Sequence, residues 1–485
     1  MKCFLTVVFC FLSIAAKAQS ADSIAINNLS DAVLELQNSE LMRNGTLAIS
    51  LKSTKDGKSK FALNPELSLP SASTLKLVTT ATVMDVFGGD YRYKTYLEYD
   101  GVIRKDTLFG NIYVRGTGDP TLGSDRFTGY PTSADLLVKW TKAIQKLGVK
   151  VILGEVIGDG SFFDKNTVAD SWIYADLGNY YGAGVGGLNF NDNLYKVKFK
   201  PGTRAGDPAV YLNTDPSLPY LTFRNEVTTG ERGSGDKTIL YGNPFSSQVV
   251  MTGTIPTGFA TYQVKGSIPD PALYVGFVLQ KALADVQIKV TRSSIDEKKE
   301  LTRKVLDETV SPPLRDICLQ TNLWSVNLYA DAFLKLAGKR LGGDPSFDAS
   351  AKAVKNYWVS KRADMRGFMI KDGSGLSPSG SVSVHNLTEI LSMATKNPGF
   401  NDFYKTIAVM GQSGTVRNLG KGSRAAGNVR AKSGSIEGTR AYAGYVTAKS
   451  GEMLSFAIIA HKYEPESQRG VTDELVRIIT LMAEL

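Results

Sequence analysis

Residues 71–83 read SASTLKLVTTATV, a run that sets Ser73 and Lys76 three apart among small and apolar neighbours. On a helix, Ser73, Lys76, Thr79 and Thr80 share one face. Leu77, Val78, Ala81, Met84 and Val86 cover most of the rest, and Gly88-Gly89 supplies a stop. The spacing predicts a helix buried nearly all round, with a single polar stripe. A lysine held in that stripe loses water, and desolvation lowers its pKa. A neutral amine beside a serine hydroxyl can take its proton, which makes a nucleophile–base pair without histidine. Alone, S-x-x-K is a weak signal. Such matches arise by chance, and a helical lysine can snorkel to solvent. The surrounding chain has to decide.

Upstream, 22–41 reads as a helix, followed by a strand pair: GTLAISLKST, a turn at Lys55-Asp56-Gly57, then SKFALNPE. From about Tyr91 the texture changes to short strands and turns. YKTYLEYDGVIRKDTLFGNIYVRG reads as strand, Asp-Gly turn, strand, and residues 195–265 alternate without a long helical pattern. Helical periodicity returns from about Ser311. The C-terminus then reads strand–strand–helix, ending in GVTDELVRIITLMAEL. The apolar stripe of that last helix fits a membrane surface or, the reading adopted here, the sheet just before it. The pattern is α+β, a domain split in two by a β-rich insertion between roughly residues 91 and 305.

The chain has 485 residues, room for two or three domains. MKCFLTVVFCFLSIAAKAQS has a positive start at Lys2, a short apolar stretch and Ala16-Lys17-Ala18 as a small-x-small site. It is expected to be an export signal cleaved after Ala18, leaving no integral membrane span. Cleavage removes Cys3 and Cys10 and leaves Cys318, so no intramolecular disulfide can form and the core must hold the exported protein together. The formal charge of +9 falls by two with the loss of Lys2 and Lys17. The basic residues are scattered without interleaved aromatics, which argues against nucleic acid and suits an anionic polymer. With only His385 and His461, a His/Cys metal site is not expected, and there is no G-x-S-x-G elbow.

Two glycine-rich stretches mislead. GAGVGG at 182–187 fits G-x-G-x-x-G, but strand-like LNFNDNLYKVKFK follows where a nucleotide site needs a helix, so a turn is expected. K-S-G occurs twice. Lys449-Ser450-Gly451 lies between two apolar strands and reads as a hairpin tip, whereas Lys432-Ser433-Gly434 lies on or at the end of a strand, where a lysine and a hydroxyl can face a cleft. Ser325-Val326-Asn327 falls between two helical stretches. S-x-x-K, S-x-N and K-[ST]-G in that order form the signature of active-site serine penicillin-interacting enzymes.

The chain resembles the D-alanyl-D-alanine carboxypeptidase/endopeptidase family of low-molecular-mass class C penicillin-binding proteins, peptidase family S13. The carriers are SASTLKLVTTA, GTGDPTL (116–122), GDGSFFD (158–164), SVN, DGSGLS (372–377) and AKSGSIEGTRAYAGYV (431–446), spread over nearly the whole mature chain. The long interval between Ser73 and Ser325 matches the family's large insertion, which class A β-lactamases lack. The resemblance implies a penicillin-binding-protein/β-lactamase-like transpeptidase domain (22–92 and 306–485), an inserted domain (93–194 and 266–305) and a nested β-rich domain (195–265). It also implies the roles. Ser73 is the acylated nucleophile and Lys76 its base. Ser325 relays protons to the leaving amine, and Asn327 bonds the substrate amide. Lys432 and Ser433 hold the terminal carboxylate, and Gly434 lets the substrate lie close to the strand. The N–H groups of Ser73 and Ser435 form the oxyanion hole. Asp159 either contacts a diamino-acid side chain or serves its own Asp-Gly turn. Peptidoglycan stem peptides are the implied substrates and β-lactams the implied covalent inhibitors, with no metal or cofactor.

Three positions depart from the family. Ser433 stands where threonine is commonest. Pro378 follows Ser377 where relatives often carry arginine, and Glu437 stands where some have glutamine. Both of the latter positions neighbour the stem-peptide side chain in relatives. Two other readings stay open: an S-x-x-K esterase or β-lactamase, and a non-catalytic wall-binding protein on the same fold.

Overall fold

The computed structural model describes residues 23–244, 246–291 and 302–485; the expected export signal (1–18) lies outside them. Its organising element is a five-stranded antiparallel sheet built from both ends of the chain. The strands are β1 (Thr46–Ser53), β2 (Ser59–Leu63), β3 (Arg430–Ile436), β4 (Thr439–Thr447) and β5 (Met453–His461), in the order β3-β4-β5-β1-β2. β1 and β5 join the two ends, from Thr46 opposite His461 to Ser53 opposite Leu454.

β1 is buried on both faces, and its alternation sorts the faces. Leu47, Ile49 and Leu51 meet α1 (23–37) and α6 (Gln468–Met482) through Leu29, Val33, Leu475 and Ile479. The small residues turn the other way: Ala48 belongs to the opposite apolar cluster, and Ser50 Oγ lies 2.8 Å from Thr388 Oγ1 on α5 (Val384–Ala394). The terminal helix therefore covers the sheet, as its stripe suggested. Among the described residues no helix is long and apolar enough to cross a membrane.

Behind the sheet lies α2 (Lys76–Phe87), buried from Lys76 through Met84 and capped by Gly88 at φ +78°. It packs with α3 (Leu314–Trp324) and α4 (Asn327–Gly342) through Leu77, Val78, Ile317, Cys318 and Phe333.

The intervening residues form further sheets. Lys304–Val310, Lys94–Tyr99, Ile112–Arg115 and Val156–Asp159 make one. Lys289–Thr291, Val151–Leu153, Thr107–Phe109 and Val102–Arg104 make another. Pairing of Lys304–Val310 with Lys94–Tyr99 closes this stretch beside the point where it opens. A single apolar cluster spans it from Leu97 to Ile288, including Tyr195, Val197 and Val264 of the all-β residues. Asp100-Gly101 is a corner and not a hairpin tip: the strand before it pairs with Ile112–Arg115, the strand after it with Thr107–Phe109. The buried Asp100 carboxylate accepts from Asn111 N at 2.6 Å and Tyr113 Oη at 2.7 Å, which ties the corner to the neighbouring strand.

This insertion grips α4 along its length. Tyr329 Oη donates to Asp192 Oδ1 at 2.7 Å, and the buried Lys335 donates to Asp164 Oδ1 at 2.5 Å and the Asn166 carbonyl at 2.7 Å. Phe127, Phe163, Trp172 and Val185 enter the same apolar cluster as α2 and α4. The GAGVGG stretch is a close crossing of backbones: a Cβ on Gly187 would sit 2.2 Å from the Gly160 carbonyl oxygen. A turn at Asn191–Asn193 and a strand at Leu194–Lys200 follow it.

Candidate active site

Ser73 sits on a 3₁₀ turn, Ala72–Leu75, that runs directly into α2. Ala72 has φ +45°, a left-handed conformation that costs a non-glycine residue on the order of 1–3 kcal/mol and is characteristic of functional turns. One helical turn on, Lys76 Nζ lies 2.9 Å from Ser73 Oγ and donates to the Ser374 carbonyl oxygen at 2.7 Å. The polar stripe is thus internal. Thr79 Oγ1 donates to the Gly373 carbonyl at 2.9 Å, and Thr80 Oγ1 accepts from Asn322 Nδ2 at 3.2 Å.

Lys76 has no exposed surface. Burial pushes its amine down to about 8, against the pull of the carboxylates of Asp331 and Asp372. Asp331 is itself pushed well up by burial and then by the neighbouring Asp372, and its Oδ1 accepts from Gly373 N at 2.7 Å. Asp372 shapes the DGSGLS turn: its carboxylate accepts from Gly375 N, Ser377 N and Trp172 Nε1, each at 2.7 Å. The insertion therefore reaches, through Trp172, the turn whose carbonyl holds Lys76.

β3 forms the facing wall. Gly434 lies against the nucleophile's turn: an added Cβ would come 2.7 Å from the Ser71 carbonyl oxygen and 3.2 Å from Ser73 N. Lys432 is fully buried and donates to the Ser433 carbonyl at 2.7 Å. Burial, then the nearby Lys76 and Arg440, holds its amine well below the usual lysine range. Ser433 Oγ lies 2.7 Å from Thr415 Oγ1, and Ser435 is exposed on the strand opposite Arg440.

Ser325 ends α3 in a left-handed conformation, φ +60°, and only Val326 separates it from Asn327, where α4 begins. Trp324 beside it carries the Arg417 guanidinium 5.9 Å from its ring, and the short turn Gly414–Val416 lies between helix and strand: Gly414 packs on Leu323 and Thr415 meets Ser433. Asn327 Nδ2 donates to the Tyr181 carbonyl at 2.8 Å. Contacts thus join Ser73, Lys76 and Gly434, with Lys432 near Lys76 and Ser433 and Ser435 on the same strand, while Ser325 and Asn327 lie where α3 passes into α4, the two helices packed on α2. Asp159 is held differently: it accepts from Arg303 Nη1 at 2.5 Å and from Ser161 N at 3.0 Å, and these partners together keep its carboxyl below its ordinary range despite burial. The second K-S-G is the tip between β4 and β5, with Lys449 exposed and Gly451 at φ +85°.

Asp331, Thr415, Trp172 and Tyr181 were not singled out from the sequence, and Asp372 entered only as the first residue of DGSGLS. Asp331 had a signal, since it lies four residues after Asn327 on the same helix face. The others join the site only through contacts between distant segments.

Known proteins resemble the chain along almost its whole length. Residues 29–482 match the family model described as the D-Ala-D-Ala carboxypeptidase 3 (S13) family. A D-alanyl-D-alanine carboxypeptidase from Actinomadura is 25% identical over 460 residues, 92% of this chain and 82% of that protein. The D-alanyl-D-alanine carboxypeptidase DacB of Haemophilus influenzae is 24% identical over 400 residues, 81% of this chain and 80% of its own. The crystal structure of penicillin binding protein 4 from Haemophilus influenzae superposes with a TM-score of 0.75 at 21% identity, covering 93% of this chain and 99% of that one. The structure of that protein complexed with a β-lactam gives 0.74 at 20% identity, over 93% and 98%. These superpositions show the penicillin-binding-protein fold, and the match across almost the whole sequence shows the lineage: the chain belongs to the D-Ala-D-Ala carboxypeptidase 3 (S13) family of serine peptidases.

Proposed function

We propose that this protein is an exported DD-peptidase that cleaves the terminal D-Ala-D-Ala bond of peptidoglycan stem peptides, and the corresponding cross-links, through an acyl-serine intermediate. The observation that carries the reading is the buried Lys76 amine, 2.9 Å from Ser73 Oγ, under a strand bearing a second buried lysine. Lys76 in its neutral form takes the Ser73 proton as Oγ attacks the carbonyl carbon. Developing charge on the carbonyl oxygen is met by the N–H groups of Ser73 and Ser435, usually the largest catalytic contribution. Ser325 passes the proton to the departing amine and D-alanine leaves. Water then attacks the ester, giving up a proton to Lys76, and Ser73 is regenerated.

Lys432 and Ser433 hold the terminal carboxylate, with Thr415 fixing the Ser433 hydroxyl. The substrate's negative charge favours a proton on Lys432 that burial disfavours in the free site. Asn327 bonds the amide on the acyl side. The pairing of Asp159 with Arg303 supports a structural role for it and argues against a free acceptor for a stem amine. β-Lactams acylate the same serine, in keeping with the β-lactam complex of the similar fold. The units proposed are a catalytic domain (22–92 and 306–485), an inserted domain (93–194 and 266–305) and a nested one (195–265).

The test is release of free D-alanine from a D-Ala-D-Ala peptide, with a cross-linked muropeptide dimer for the endopeptidase step. Ester or β-lactam turnover without D-alanine release would favour the esterase or β-lactamase reading. Wall binding with no turnover would favour a non-catalytic role.

The two K-S-G copies give a paired prediction. Lys432→Ala removes a charge-assisted contact worth roughly 1.5–3 kcal/mol, so kcat/KM on the peptide is expected to fall by about ten- to a hundredfold. Lys449→Ala, at an exposed tip, is expected to change it by less than about twofold. Equal losses in the two variants would contradict the assignment.

A further inference from the structure

A strip of two aromatic pairs that the mechanism does not use, joined through Asp176, is tied to Asn327. The Tyr181 carbonyl accepts from Asn327 Nδ2, so the turn Tyr180–Gly182 borders the cleft on the acyl side. The Tyr180 and Tyr181 rings meet edge to face at 5.3 Å and 85°. Tyr181 Oη donates to Asp176 Oδ1 at 3.0 Å, which ties it to the helical turn Tyr174–Leu177. The first residue of that turn stacks on Tyr241 at 5.3 Å and 28°. These rings do little for the core: Tyr174 is 57% exposed and Tyr180 55%. Exposed aromatic rings rimmed by polar groups mark a binding surface.

We propose that this strip binds the glycan strand from which the stem peptide hangs, an inference that rests on the DD-peptidase reading. Whatever is joined to the acyl side of the scissile bond must leave the cleft past Asn327, and there the tyrosines stand. The local chemistry matches a sugar better than an apolar peptide. A pyranose offers C–H faces for the tyrosine rings and hydroxyls for carboxylates. Asp176 bonds Tyr181, and the charge of the exposed Asp236 also acts on that hydroxyl. An apolar segment laid here would strip water from those carboxylates and bring no new donors in return.

The test is the double variant Tyr174→Ala/Tyr180→Ala, neither residue being part of the catalytic machinery. Binding to peptide-free glycan strands, measured by co-sedimentation, is expected to weaken about tenfold, the scale of two lost aromatic contacts. Its kcat/KM on polymeric peptidoglycan is expected to fall alike, while kcat/KM on a soluble D-Ala-D-Ala peptide stays within about twofold. Equal binding of strands by the two proteins, no binding by the wild type, or an equal loss on peptide and polymer would each overturn the proposal. A wild type that releases no D-alanine yet binds strands through these tyrosines would remove the peptidase reading and leave the strip standing.

Discussion

Ser73→Ala is expected to lose roughly 10⁴–10⁶-fold in kcat on a D-Ala-D-Ala peptide, the scale on which removing a serine nucleophile acts in other serine hydrolases. The site concentrates nucleophilic chemistry on one oxygen. Ser73 Oγ is the hydroxyl beside the buried amine, and Gly434 holds β3 against the backbone N–H that would receive the oxyanion. The fold should survive, because Lys76 keeps its bond to the Ser374 carbonyl and Ala72 keeps its place at the turn. Thermal unfolding within a few degrees of wild type, together with the lost turnover, is the expected pair of results. Substantial residual kcat in a folded variant would move the nucleophile elsewhere.

The second large effect belongs to the base. Lys76→Arg keeps a cation but replaces a titratable amine with a guanidinium that cannot be deprotonated in a protein. Acylation is expected to fall by at least about a hundredfold, the scale of general-base catalysis. The sign of the pH dependence follows from the amine's value of about 8. Only the deprotonated form accepts the serine proton, so the wild-type acylation rate rises with pH, approaching about tenfold per unit well below that value and levelling above it. The carboxylates of Asp331 and Asp372 draw the amine's value upward and burial draws it down, and burial prevails. Pre-steady-state acylation by a chromogenic β-lactam across pH 6–10 measures both. A flat wild-type profile, or a titrating one in Lys76→Arg, would mean that another group is the base.

The parts of this site that could be read in the sequence are those whose chemistry is local. The S-x-x-K turn, its helix and the K-S-G strand each carry spacing and apolar pattern within a dozen residues. The difference between the two K-S-G copies followed from what flanks them. What could not be read comes from segments far apart in the chain. Asp372 meets Trp172 across 200 positions and Asp159 meets Arg303 across 144. No periodicity records such pairings. Thr415 lies 18 positions from Ser433, but nothing in GQSGTVRN marks a turn poised against a strand. Asp100-Gly101 shows the limit of turn chemistry. The dipeptide announced a change of direction correctly, while the choice of hairpin or corner depended on the bonds from Asn111 and Tyr113 to Asp100.

The central claim is that one serine, Ser73, becomes acylated beside a buried lysine. The most direct measurement is mass-spectrometric peptide mapping of the protein after a brief exposure to benzylpenicillin. A single penicilloyl adduct on the peptide containing Ser73, absent from Ser73→Ala, is the predicted result. An adduct on any other residue, or the same adduct persisting in Ser73→Ala, would contradict it.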